Sequence, residues 1–217
     1  MTSRNHALLT DPAHTMPVVP AAPPAGVAWL RAGVARFSDG AVHRRRRALV
    51  VADLDRIDPR RLRESAARDG RGPVEVLAEA LGLPGELAAS IAADVAVVAT
   101  AYQPHTAITA EADRAVVRLV RVCGGVADEA TANRIGLLVQ ACDATKALVA
   151  HLASGRTDPP VPRTRRVAPD GTTVEIDLTE APFGLGPHAC PAHTHAHSLA
   201  SGLLEAATPQ PTGPNPT

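Results

Sequence analysis

The segment Pro182-Phe183-Gly184-Leu185-Gly186-Pro187-His188-Ala189-Cys190-Pro191 holds the residue types best suited to chemistry. Its cysteine stands just before a helix that the pattern starts near Ala192. Free N–H groups and the positive end of the helix dipole favour a thiolate at such a place. The two glycines allow tight turns and close approach of the backbone to a flat ligand. A thiolate presented in this way can be an axial ligand to haem iron, with Phe183 covering the sulfur side and His188 within reach of a propionate. A competing chemistry exists, because His188, Cys190, His193, His195 and His197 are close enough in sequence for a zinc or nickel site. Their spacing matches no standard zinc motif.

Two further constellations stand upstream. His43 and Arg47 are four residues apart, hence on one helix face, and a bidentate arginine beside a histidine suits a carboxylate. The run Arg44 to Arg47 cannot face one ligand as a whole, and its plain reading is a solvated basic face. Asp143 and Thr145 interrupt an otherwise apolar helical stretch, as proton-handling groups or simply as polar groups satisfied within a buried helix.

The elements that must position these residues read as mainly helical. Helices are expected over Trp29–Phe37, Ala41–Leu54, Asp58–Arg68, Pro73–Leu81, Glu86–Tyr102 and from Thr109 to about Gly124. Ser38-Asp39-Gly40 is expected to cap the second of these. A broadly apolar helix from Asp128 to Ala153 reads as central and buried, and a last one runs from about Ala192 to Ala207. Val161–Val167 and Thr172–Leu178 read as two short strands turned at Pro169-Asp170-Gly171. Residues 1–27 carry Pro12, Pro17, Pro20, Pro23 and Pro24 and read as an extended arm without regular structure. Residues 208–217 read as a disordered tail, which leaves 28–207 as the folded domain.

Composition narrows the classes of function. Twenty-two Lys and Arg balance 22 Asp and Glu, so there is no basic surplus for nucleic acid or an acidic membrane. Aromatics make up 2%, too few for base-stacking platforms. No charge-free apolar stretch reaches membrane-spanning length, and the first residues lack the basic-then-apolar order expected of a signal peptide. Three scattered cysteines do not form a disulfide framework and suit a reducing cytoplasm. Cys123 and Cys142 read as packing residues, and Trp29 and Phe37 as core.

The cysteine segment resembles the ligand loop of the cytochrome P-450 family, Phe-x-x-Gly-x-His/Arg-x-Cys-x-Gly, through Phe183, Gly186, His188 and Cys190 in register. The usual last glycine is Ala192 here. His43 to Arg47 is similar to the family's C-helix His-x-x-x-Arg, and Leu81-Gly82-Leu83-Pro84 to its Leu-Gly-x-Pro. Leu137 to Thr145 resembles the I-helix, and Asp158-Pro159-Pro160 with Arg166 resembles the segment after the K-helix. The family's Glu-x-x-Arg pair is absent, since Ala153 stands where the glutamate would precede Arg156, and the meander is missing. The acid that usually adjoins the threonine is displaced by one residue, in Asp143-Ala144-Thr145.

The resemblance implies a truncated, mainly α cytochrome P-450-like fold with a small β region. It implies one haem b with Cys190 as axial ligand, propionates on His43, Arg47, Arg166 and His188, and Phe183 at the sulfur. Thr145 and Asp143 would be the catalytic pair of a cytoplasmic monooxygenase. The partners implied are a ferredoxin-type redox protein and a small hydrophobic substrate; a separate alternative is a homodimer in which two chains complete each other's pocket. The alternative is a catalytically degenerate haem-binding or partner-binding scaffold, which the shortened chain favours.

Overall fold

The computed structural model describes residues 4–68, 70–156 and 158–208 of the 217. Beyond Thr208 the expected tail lies outside the described residues. The helices are α1 (Arg4–Thr10), α2 (Val27–Gly33), α3 (Gly40–Leu54), α4 (Pro59–Ala66), α5 (Pro73–Ala80), α6 (Ala88–Thr100), α7 (Ala110–Cys123), α8 (Glu129–Ala153) and α9 (His193–Ala207). Two strands, β1 (Arg163–Val167) and β2 (Thr173–Asp177), pair antiparallel with Arg163 opposite Asp177 and Val167 opposite Thr173.

Local chemistry explains the helix starts. Asp58, Thr109 and Asp128 each accept a hydrogen bond from a backbone N–H of the first turn, at Arg60, Ala112 and Thr131. Pro59 and Pro73 occupy first helical positions, where the missing N–H costs nothing. The Pro169-Asp170-Gly171 turn closes the hairpin as expected, with the Gly171 N–H bonded to the Ala168 carbonyl.

Helix α8 is the axis of the molecule. By length and composition it could cross a membrane. Here it is wrapped by α2, α3, α5, α6, α7 and α9 instead. Its Ile135 and Leu138 are fully enclosed with Leu30, Ile91, Leu119 and Val98 from its neighbours. Trp29, Phe37, Cys123 and Cys142 are buried in this core.

The arm departs from its expected form. Residues 4–10 form α1, and Thr15 pairs with Val167 as an antiparallel bridge on the hairpin. A second, smaller core joins them, made of Leu9, Ile176, Leu178 and Ala181. The prolines fall outside α1, so they restrict the stretch between α1 and α2 without preventing about two turns of helix before it.

Helix α4 lies against α9 so closely that a side chain on Gly202 would collide with the Arg63 carbonyl and the Ala66 methyl. The adjoining Arg63–Glu205 ion pair is exposed, and pairs of that kind contribute little. Gly202→Val is therefore expected to lower stability by about 1–3 kcal/mol through overpacking. A urea midpoint equal to that of the parent protein would show that the two helices do not meet at this point.

Candidate functional site

The loop between β2 and α9 is tied by its own backbone. The Cys190 N–H donates to the Phe183 carbonyl at 2.7 Å, and the Gly184 and Ala189 N–H groups bond to the Ala181 and Gly186 carbonyls. This closes the loop into a lariat with Cys190 at its neck, just before α9. The thiol is half-buried. Burial pushes its pKa up, while the Ala192 N–H and the charges of Arg47 and Arg36 pull it down. The helix-entry donor expected of this position is thus present, but desolvation outweighs it and the unliganded sulfur is a thiol.

Two separated parts of the chain, the start of α3 and Arg166 of β1, converge on this loop. The His188 ring lies on the His43 ring, with centroids 4.1 Å apart. His43 is 3% exposed, and burial holds its pKa down at about 4, helped by His188, Arg47 and Arg166 and opposed by Asp39. Burial first, then Arg166, likewise depress His188, against a hydrogen bond with Asp39. Arg166 is 4% exposed and, among the described residues, donates hydrogen bonds to the Arg165 carbonyl at 3.0 Å and the Thr164 hydroxyl at 3.4 Å. Burial and Arg36 lower its pKa. His43, Arg47, Arg166, His188 and Cys190 therefore form one neighbourhood. Among the described residues, Asp39 is the carboxylate that acts on it.

The arginine run divides as geometry requires. Arg45 and Arg46 bind Glu129 across to α8, and their hydrogen bonds hold its carboxyl down at about 2. Arg47, one turn after His43, is left to the loop side.

Other candidates fall elsewhere. The Phe183 ring lies on those of His193 and His197, at 4.1 and 5.2 Å, so it packs on the first turns of α9. His193 and His197 meet edge to face within that stack, and His195 turns away to the Ile57 carbonyl at 3.1 Å. Among the described residues, no group of three or more His, Cys, Asp or Glu side chains could hold a metal ion. Thr145 is buried on the inner face of α8. The Asp143 side chain is 80% exposed beside Lys146, so the two do not share a face. Two residues span about 200° of a helix, which sets them on opposite sides. Arg156 pairs with Asp158, two residues on, in place of the absent glutamate. A cavity of about 390 Å³ opens between α6 and α7, lined by Leu87, Ile91, Asp94, Arg118 and Val122, and takes no residue from the cysteine loop.

Two residues near the site escaped the sequence reading. Asp39 was expected to cap α3, yet its side chain makes no cap bond. One of its oxygens meets His188 Nε2 at 3.1 Å and the other accepts from the Met16 N–H at 2.9 Å. Arg36, just before the motif, contacts Gln140 of α8 at 3.4 Å and adds a third guanidinium.

No family model and no curated protein matches the chain. Among solved structures it is similar to P450BioI, in that protein's complex with an acyl carrier protein ligated to hexadec-9Z-enoic acid. The TM-score is 0.63 and the identity 13%, over 94% of this chain and 81% of that one. The likeness shows the fold, which is a mainly helical cytochrome P-450-like scaffold with a small β region.

The buried histidine has a consequence for stability. Unfolded, His43 takes up a proton as the pH falls below about 6.5; folded, it resists until about 4. The unfolded state binds more protons in that window, so stability falls as the pH drops from about 6.5 to about 4. His188 acts in the same direction. Denaturant unfolding of the parent protein and His43→Gln should differ in slope across that window and run parallel above it. Parallel curves throughout would mean that His43 is not held neutral.

Proposed function

We propose that the chain is a haem-thiolate protein of the monooxygenase type, with one haem b at the Cys190 loop. The observation that carries the reading is the charge imbalance beside that cysteine. Arg36, Arg47 and Arg166, with two histidines, face Asp39 alone among the described carboxylates. A buried guanidinium without an anion is costly. Arg166, enclosed and bonded among the described residues to a carbonyl and a hydroxyl, suits a ligand that brings carboxylates with it. One sulfur donor beside such a cluster fits a porphyrin dicarboxylate better than a bare metal ion, which would ask for several protein ligands.

In this reading Cys190 ligates the iron, while His43, Arg47, Arg166 and His188 hold the propionates. The Ala192 N–H and the Arg47 and Arg36 charges, already directed at the sulfur, stabilise its ionised form. When bound, a thiolate-held haem supplies oxygen activation and C–H hydroxylation. The Thr145 hydroxyl, on the buried side of α8, holds and passes a proton. Asp143, on the solvent side, has no part in that transfer. Electrons come from a ferredoxin-type partner, and the substrate is small and apolar. The outward turn of Asp143 favours one second reading, a scaffold that keeps haem without turnover.

Hemin added to the purified protein, then reduced and exposed to carbon monoxide, is expected to give the red-shifted band of a thiolate ligand. Cys190→Ser should lose that band. Arg47→Ala should weaken hemin retention about tenfold, the usual effect of a supporting group around a metal site. Hemin that fails to bind, or binds with a spectrum indifferent to Cys190→Ser, would sink the haem assignment. NADPH-driven turnover with a redoxin pair separates enzyme from scaffold.

A further inference from the structure

The N-terminal segment and the cysteine loop are packed against each other, although about 180 residues separate them in the chain. Leu9 is 4% exposed, in one small core with Ile176, Leu178 and Ala181, and Leu185 of the loop lies on that core. Gly186 takes φ of +66°, and a side chain there would stand 3.3 Å from the Thr10 methyl and 3.4 Å from the Leu9 carbonyl. Thr15 and Val167 exchange two backbone hydrogen bonds, of 3.0 and 2.8 Å, which adds the segment to the hairpin edge. At the end of the segment, the Met16 N–H donates to Asp39, whose other oxygen meets His188.

Asp39 occupies a helix N-cap position and does not cap, whereas Asp58, Thr109 and Asp128 in equivalent places do. Its oxygens go instead to partners 23 and 149 residues away. A two-stranded hairpin is marginal by itself and needs a covering element. In this chain α1 is that element, at the place where the loop leaves β2.

We propose that residues Arg4–Met16 are the buttress of the cysteine loop and that Asp39 is the positioning residue that couples the two through Met16 and His188. The purpose of the coupling, holding Cys190 where a haem is received, rests on the function proposed above. The coupling itself does not. The segment covers the side of the loop at Leu185 and Gly186 with Leu9 and Thr10.

The test is hydrogen exchange of the full chain without added ligand, read at the Gly184, Ala189 and Cys190 amides. In Asp39→Ala these are expected to exchange about tenfold faster or more, with amides of α6 and α7 unchanged. Asp39→Asn keeps an oxygen for the Met16 N–H and should fall between. Leu9→Ala, which touches neither Asp39 nor Cys190, should loosen the same three amides. Loop exchange at the parent rate in both Leu9→Ala and Asp39→Ala would overturn the proposal, as would loosening confined to α1. Loosened loop amides in a protein that never takes up hemin would uphold the coupling and remove the haem reading. Hemin uptake with unmoved loop amides would do the reverse.

Discussion

A surplus of positive charge held next to one cysteine is the constraint around which the structure is arranged. Arg166 is enclosed with Asp39 as the carboxylate that acts on it among the described residues, Arg47 and Arg36 act on the sulfur, and burial together with Arg47 and Arg166 disfavours protonation of His43 and His188. Such a neighbourhood is unstable to desolvation unless something negative shares it. Asp39 supplies one charge, and the elements that bring the cations together are rigid. His43 and Arg47 share a face of α3, Arg166 is in a hydrogen-bonded strand and His188 is in the closed loop. The fold thus keeps Arg166 and two neutral imidazoles enclosed beside the sulfur, with Arg36 and Arg47 nearer to solvent.

The second theme is the polar seating of α3 on the central helix. Glu129, at the start of α8, takes Arg45 and Arg46 and so fixes α3 against the central helix. Asn133, one turn on, accepts from the Ala35 N–H and donates to the Gly33 carbonyl, which seats the turn that carries Arg36. Asp53 binds Arg134 at the far end of α3. These polar clamps set the position of α3, and through it of His43 and Arg47.

Much of this was legible in the residues, for identifiable reasons. Helix α8 was readable from Asp128 to Ala153 because a cap residue and a long apolar run mark it without ambiguity. The hairpin followed from alternation on both sides of a Pro-Asp-Gly turn. His43, Arg47, Arg166, His188 and Cys190 were all nameable, and the fold brings them into one neighbourhood. Helix α1 was hidden because it is seven residues long and stands in a proline-rich stretch, and its stability comes from Leu9 on a distant hairpin rather than from propensity. Asp39 was misread because its type and position suit a cap, and only tertiary structure reveals the partners that outbid the helix end. The opposed directions of Asp143 and Thr145 needed no structure, since two residues on a helix point apart.

The proton balance of the site follows from the same arrangement. Without a ligand, burial keeps Cys190 as a thiol and His43 as a neutral imidazole. A sulfur that becomes a metal ligand gives up its proton. A carboxylate placed against His43 and His188 favours their charged forms and draws protons in. The two shifts are opposite in sign and are connected through Arg47, which acts on Cys190, His43 and His188 alike. Arg47 thus opposes a positive charge on His43 and His188 and favours a negative one on Cys190, so the protonation of the three groups is linked through a single guanidinium.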